Sequence, residues 1–435
     1  MTEAPKTHFD YWQNLAASRT NLRLLIPGKG WVEFADRIGD DNKVEARGSK
    51  DEIESVLTNV ISASNFLTLT GAGASFCARN PDGQPQAPSM SALWDAVAAK
   101  VGAPEFAAVC AKFQKTNLND NIEKLLSLCK VYLELNEAAD EEDEEVQSVR
   151  DFVPVAEKCI LEKVDYVTSQ TDLSAHETYV RKIGRRGFRK ARAKVFTTNY
   201  DLSIEEAARR LRFTIIDGFS HSLDQVYDRQ HFEYDIVRRE PGKDAPDYIA
   251  NVFHLYKLHG STDWRRIGTD VIRSRDNDIG EAVLIYPRSS KYQEAFDPPY
   301  LDMMSAFQAA LREPDSALVV AGFGFNDDHI SRPILSALES NLNFRLVVCD
   351  PGFIRSYEAL SGHQLDGVAD HAILDAETHP NPFIERIRGL AHNGDQRVHL
   401  LNGRFEDLAD AMPDLIGQTD RERHAERVRS MREVS

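Results

Sequence analysis

The sequence predicts an α/β protein, a doubly wound parallel sheet of Rossmann-like type with a helical insertion after its first strand. Three observations predict it. Strand-like apolar runs alternate with loops and helix-like segments along much of the chain, the signature of strand–helix units packed in layers. The run at 317–324 is almost continuously apolar, as a strand buried on both faces of a parallel sheet must be. Polar, glycine-bearing motifs fall at the carboxyl ends of the predicted strands, where such sheets hold their ligands.

The opening strand is at 65–70, where Phe66, Leu67 and Leu69 lead into the turn Gly71-Ala72-Gly73-Ala74-Ser75. Gly71 and Gly73 lack a Cβ, so the backbone can bend sharply and let a diphosphate approach the amides of a following helix. Taken alone, the same pattern is met in a tight turn of an α/β core. Before this strand, Val56, Val60 and Ile61 have helical spacing, so the core is expected to begin near residue 51. Residues 1–50 read as an arm in which Tyr11, Trp12, Leu15 and 22–26 offer apolar surface to the same domain or to a neighbouring subunit.

Beyond the turn, four prolines and glycines at 81–88 impose an irregular loop, placed where a ligand-covering loop would sit. Segments 91–101, 106–113, 122–135 and 149–167 repeat apolar residues every three to four positions, which predicts a helical insertion over about 85–190. The acidic run at 140–145 reads as a solvated loop and not as a metal site.

The second strand, 194–200, ends in Thr197-Thr198-Asn199-Tyr200-Asp201 and breaks into a helix that Asp201 or Ser203 can cap. A short strand at 213–216 precedes a polar and aromatic excursion over 217–251 with hairpin character. Residues 252–259 alternate like a strand and end in His259-Gly260-Ser261. The 317–324 strand runs into Asn326-Asp327-Asp328-His329, where the two acids can cap the next helix or meet a ligand. A strand at 344–349 ends in Asp350, a last strand and helix occupy 398–412, and the domain closes near 415 before a charged tail at 416–435.

Composition narrows the classes of function. With 42% hydrophobic and 28% charged residues over 435 positions, the chain has the profile of an ordinary globular protein. A net charge of −17 argues against broad, sequence-independent nucleic-acid binding, which needs a basic face. The basic stretch at 181–194 reads first as a solvated helix face or a patch for an acidic partner. Cys77, Cys110, Cys129, Cys159 and Cys349 include no Cys-x-x-Cys pair, so neither a zinc knuckle nor a disulfide framework is expected. No apolar run is long enough for a membrane helix and residues 1–7 have no secretory signature, so a cytoplasmic protein is expected.

GAGAS at 71–75, TTNYD at 197–201, LHGS at 258–261 and GFGFNDDHI at 322–330 resemble, in that order, the sirtuin-type NAD-binding domain over about residues 51–412. The form is similar to the bacterial sirtuin-like branch found in antiviral defence systems. TTNYD stands where the zinc-containing protein deacylases have Gln-Asn-Ile-Asp, and GFGFNDDH where they have Gly-Thr-Ser. The resemblance implies that Gly71, Ala72, Gly73 and Ser75 hold the NAD+ diphosphate and that Thr198 joins them. It implies that Gly322 and Phe323 line the adenosine side, with Asp350 accepting from its ribose. It gives Asn199 the orienting of a water or the nicotinamide ribose, makes Asp201 its companion acid, and makes His259 the base, a task that suits imidazole.

The deacylases' Gly-Ile-Pro-Asp-Phe-Arg is replaced by FCARNPD at 76–82 and their zinc-binding cysteine pairs are missing, which counts against peptide deacylation. Cleavage of the NAD+ glycosidic bond stays chemically sensible because nicotinamide is a good leaving group. The implied function is an NAD+ glycohydrolase, without a metal, acting as effector of an anti-phage system. The layout resembles a stand-alone sirtuin-like subunit that forms a homo-oligomer and works with a HerA-type ATPase. The alternatives are an NAD-dependent deacylase or ADP-ribosyltransferase, and a non-catalytic nucleotide-binding scaffold or sensor.

Overall fold

The computed structural model describes residues 22–34, 36–38, 43–136, 143–185, 190–239, 247–276, 278–284, 298–356, 373–375, 379 and 381–415. Tyr11, Trp12, Leu15, His371 and the charged tail at 416–435 lie outside them. The central sheet has nine strands: β1 (Arg23–Ile26), β2 (Gly30–Glu33), β3 (Asn65–Thr70), β4 (Lys194–Thr197), β5 (Thr214–Ile216), β6 (Val252–Lys257), β7 (Ser316–Ala321), β8 (Arg345–Cys349) and β9 (Val398–Asn402). Their order is β2-β1-β9-β8-β7-β3-β4-β6-β5. Every pairing from β9 to β5 is parallel, and β1 joins β9 antiparallel.

From β3 the chain moves outward to β4 and the edge strand β5, returns to β6, and then crosses to β7 on the other side of β3. The direction of winding therefore changes between β3 and β7, the kind of place where open parallel sheets form a crevice at their carboxyl ends. Side chains alternate across the sheet. Leu67, Leu69, Leu318 and Val320 enter one hydrophobic cluster, while Phe66, Ala317, Val319 and Ala321 enter another, so both faces are covered.

The hairpin β1–β2 packs on the same domain, one of the two places open to residues 1–50, and carries the core back before its expected start near residue 51. Leu22 and Leu24 are buried with Phe66 and Leu401, and β1 extends the sheet beyond β9. Pairing a short apolar hairpin with β9 covers an edge that would otherwise expose unpaired amides and carbonyls.

The helices are α1 (Lys50–Ile61), α2 (Ala72–Ser75), α3 (Met90–Val101), α4 (Ala103–Lys112), α5 (Ile122–Leu135), α6 (Glu144–Val164), α7 (Ser174–Gly184), α8 (Ser203–Leu211), α9 (Tyr300–Arg312), α10 (Asp328–Ser340), α11 (Pro382–His392) and α12 (Phe405–Ala411). Helices α3–α6 share a hydrophobic cluster of their own, built on Val97, Phe106, Leu125, Phe152 and Ile160. In contrast, α7 buries Tyr179, Val180 and Ile183 in the cluster beneath the sheet.

The basic stretch that begins in α7 is not a solvated face among its described residues. Lys182 is buried and donates to the carbonyls of Ala409 and Asp410 at 3.0 and 2.7 Å, the end of α12. Arg192 and Lys194 pair with Asp235 and Glu313 at 2.9 and 2.7 Å. The stretch neutralises acids of its own chain.

Candidate functional site

The turn after β3 and the turn after β7 are built against each other. Gly71 donates its amide to Ala321 O at 3.2 Å and Gly73 donates to Gly322 O at 2.9 Å. A Cβ on Gly71 would lie 2.6 Å from Gly322 O, and one on Gly73 would lie 2.8 Å from Gly322 Cα. Gly322 itself has φ +66° and space for no Cβ, since Ala74 N would be 2.2 Å away. The glycines at 71, 73 and 322 are thus required by backbone packing at the change of winding, whatever else the turn binds. Ala72 is exposed at the start of the one-turn helix α2.

Ser75 closes that helix and points its hydroxyl at the end of β4. Ser75 Oγ donates to Asp201 Oδ2 at 2.7 Å, and Asn199 Nδ2 donates to Ser75 Oγ at 2.8 Å and to Gly71 O at 2.9 Å. Asn199 is further held by its own amide, which donates to Thr197 Oγ1 at 3.1 Å. Thr198 anchors the turn through its amide, which donates to Thr70 O at 3.0 Å. Asp201 uses its second oxygen to accept from Ser203 N at 2.9 Å at the start of α8. It therefore serves both as the helix-start acceptor and as the partner of Ser75. The structure brings Ser75, Asn199 and Asp201 into one hydrogen-bonded set.

These three residues, with Thr70, His176 and Phe405, line a cavity of about 10 Å³, the room of roughly one water molecule. Thr70 Oγ1 is buried there without a hydrogen-bond partner. His176, from α7, is fully buried against Phe405, with ring centroids 5.0 Å apart. Burial lowers its pKa to about 4, opposed by the charges of Asp201 and Asp172, so the ring is neutral at pH 7. Cys77 Sγ lies 3.8 Å from His176 Nδ1, and burial raises the thiol's pKa, so Cys77 stays protonated.

His259 sits beyond the end of β6 and does not line that cavity. Gly260 follows with φ +87°, where a Cβ would lie 2.1 Å from Val283 O. Only glycine permits the turn from β6 into the antiparallel strand Gly260–Ile267, so the residue after His259 fixes where the imidazole is delivered. His259 Nε2 is 3.0 Å from Asp327 Oδ2, and both side chains are buried. Asp327 Oδ1 accepts from His329 N at 2.9 Å and caps α10. The capping reading of Asp327 holds through Oδ1, while Oδ2 meets His259. His329 is exposed.

Lys257, two residues before His259, is buried in the strand and bonds to Tyr200 O at 3.2 Å, to Asp201 O, and to Glu205 Oε1 at 2.9 Å. Its ammonium pins the 197–201 turn from below. Burial raises the Glu205 pKa and the Lys257 charge opposes that rise. Phe323 is buried in the hydrophobic core beside Phe325, with ring centroids 5.2 Å apart. Asp350 follows β8, and its Oδ1 accepts from Gly352 N at 2.7 Å. Asn381, the cap of α11, holds the 324–326 turn through Gly324 O and Phe325 O at 3.1 and 2.9 Å.

Sequence motifs pointed to none of His176, Glu123, Lys257, Glu205 or Asn381. Lys257 carried a usable signal, since a lone lysine in the apolar run Val252–Lys257 has to find an anion or carbonyls. His176, Glu123 and Asn381 come from helices whose contact with the site is set by tertiary packing.

Among the described residues, no group of three or more His, Cys, Asp or Glu is placed to hold a metal ion, and no helix is long and apolar enough to cross a membrane. Residues 193–354 match the family model of the SIR2-like domain. The match takes in Asn199, Asp201, His259 and the turn after β7, and leaves outside it the turn after β3 and helices α3–α6. No curated protein matches the chain. The matched domain supports a sirtuin-like, NAD-related function, since SIR2-like domains use NAD+.

Proposed function

We propose that the protein is an NAD+ glycohydrolase that releases nicotinamide and ADP-ribose. The observation that carries the reading is the buried His259–Asp327 pair at 3.0 Å, at the end of the strand beside the one that leads to Asn199. With its Nε2–H donated to Asp327, a neutral His259 keeps a lone pair on Nδ1 and can act as a base. Water forms a bond to C1′ of the nicotinamide ribose while the C1′–N1 bond breaks. Its electron pair neutralises the pyridinium, nicotinamide leaves uncharged, and His259 takes the proton lost by water. Asn199, whose Nδ2 is held by Gly71 O and Ser75 Oγ, has a fixed amide plane and orients that water through Oδ1.

A cavity with room for about one water does not admit a dinucleotide. The element that yields is the 76–89 loop, tied to the α6–α7 connection by two backbone bonds between Arg79 and Asp172 at 3.3 and 2.8 Å. The similarity of the motifs to bacterial antiviral sirtuin-like proteins gives the enzyme the role of an anti-phage effector, homo-oligomeric and triggered by a HerA-type ATPase.

The test is nicotinamide release from NAD+ by the full chain, alone and with a HerA-type ATPase added. Turnover that Asn199→Ala and His259→Ala abolish is the expected result; no turnover in either preparation refutes the reading. The second reading is a nucleotide-binding subunit without chemistry. Calorimetry distinguishes it, as NAD+ would then bind without being consumed.

A further inference from the structure

Helices α3–α6 lie outside the SIR2-like match, and one of their side chains reaches the carboxyl edge of the sheet. Glu123 is the second residue of α5. Acids in a first helical turn ordinarily face solvent and answer the helix dipole. This one instead accepts a hydrogen bond from the Tyr200 hydroxyl, at 3.0 Å on Oε1. Tyr200 belongs to the TTNYD segment, is buried in the hydrophobic cluster of α3–α6, and has its ring 6.4 Å from that of His259. Glu123 therefore stands in a row with Tyr200, His259 and Asp327 that joins the helical segment to the proposed base.

We propose that Glu123 is a positioning residue for His259, acting through Tyr200, and that helices α3–α6 control the competence of the site through this contact. The activity arm of the proposal rests on the hydrolase reading. Asp327, from the start of α10, and Tyr200, from the turn after β4, stand against the imidazole, and Glu123 from α5 is joined to it through Tyr200; Glu123 also feels the charges of His259 and Asp327, and Tyr300, at the start of α9, feels that of Asp327. Burial raises the Glu123 pKa above the ordinary carboxylate value, while His259 and the Tyr200 hydroxyl oppose the rise. The ionised carboxylate fixes the phenol by a charge-assisted bond, and the phenol ring fixes the wall against which His259 stands.

Glu123→Gln keeps an acceptor for Tyr200 and removes the charge; Tyr200→Phe keeps the ring and removes the donor. Each lowers kcat for nicotinamide release about tenfold with KM within about twofold, and the double variant falls no further than either single one, because both break the same link. Wild type loses activity as pH falls through the raised Glu123 pKa, and Glu123→Gln lacks that acid limb. A variant with wild-type kcat and an unchanged acid limb overturns the proposal.

A second readout needs no turnover, so it separates failure of this proposal from failure of the hydrolase reading. Because its folded pKa is raised, Glu123 contributes stability that is complete below about 4.5 and lost as pH rises through the folded value. The Tm difference between wild type and Glu123→Gln therefore declines over that window. In a Tyr200→Phe background the window moves to higher pH, since the hydroxyl that favours the carboxylate is gone. An identical window in both backgrounds overturns the coupling, whether or not the wild type hydrolyses NAD+.

Discussion

The contact between the two glycine turns can be weighed with three alanine substitutions that separate backbone strain from crowding. Gly83 has φ +77° and nothing within 4 Å of an added Cβ, so Gly83→Ala carries only the left-handed conformational cost, about 1 kcal/mol. Gly71 has an ordinary extended backbone, φ −125°, but its Cβ would lie 2.6 Å from Gly322 O and 2.8 Å from Phe323 Cα. Those are main-chain atoms of a buried turn, so Gly71→Ala costs about 1–3 kcal/mol of overpacking alone. Gly322 combines φ +66° with a Cβ 2.2 Å from Ala74 N, so Gly322→Ala costs roughly 2–5 kcal/mol. Urea unfolding followed by tryptophan fluorescence gives the three values. The double variant at 71 and 322 should cost less than the sum, since both changes push apart the same pair of turns. If Gly322→Ala falls within about 0.5 kcal/mol of Gly83→Ala, the turns do not pack as described and the crowding argument fails.

Three other perturbations address single groups. Lys182→Met removes the donor to Ala409 O and Asp410 O while keeping the aliphatic stem, and should cost about 1–3 kcal/mol in chemical unfolding. His176 has its pKa lowered to about 4 by burial, so the unfolded chain binds the extra proton first; stability is retained above about 6.5 and falls by roughly 3 kcal/mol as pH drops to 4, a slope that His176→Gln reduces in a Tm series against pH. Asp327→Asn keeps the cap on His329 N and removes the charge beside His259, so Tm should hold within a few degrees while nicotinamide release drops at least tenfold; Asp327→Ala also loses the cap, about 1 kcal/mol, seen as a lower Tm than the Asn variant.

The parallel sheet could be read from the sequence because its strands are buried on both faces and keep little polar character: Arg345–Cys349 lies within a residue of its predicted bounds, and Ser316–Ala321 starts within a residue of the predicted 317–324 run but ends three residues earlier, where the chain turns at Gly322. The helices of α3–α6 were readable from their three-to-four-residue spacing, and Ile122–Leu135 coincides with its predicted bounds. The hairpin β1–β2 was not, because its place beside β9 depends on a pairing with residues more than 350 positions away. The solvated reading of the basic stretch does not hold for Lys182, Arg192 and Lys194, because charge density does not reveal whether acids such as Asp235 and Glu313 fold onto it. Asn199, Asp201 and Ser75 were readable as candidates since each lies in a segment that follows a strand; that Asn199 and Asp201 both bond to Ser75 was not.

The same geometry decides which part of the site can move. Opening the cavity from the sheet side would separate Gly71, Gly73 and Gly322, whose backbones interlock and whose strands β3 and β7 are fully buried. Opening it from the loop side breaks the two Arg79–Asp172 backbone bonds, a net cost of about 1–3 kcal/mol. Phe76 is already exposed and Ala78 is the buried anchor that must leave its pocket beside Leu173 and Leu202. On the proposed function, a dinucleotide need repay only this cost, while Ser75, Asn199 and Asp201 remain fixed to one another.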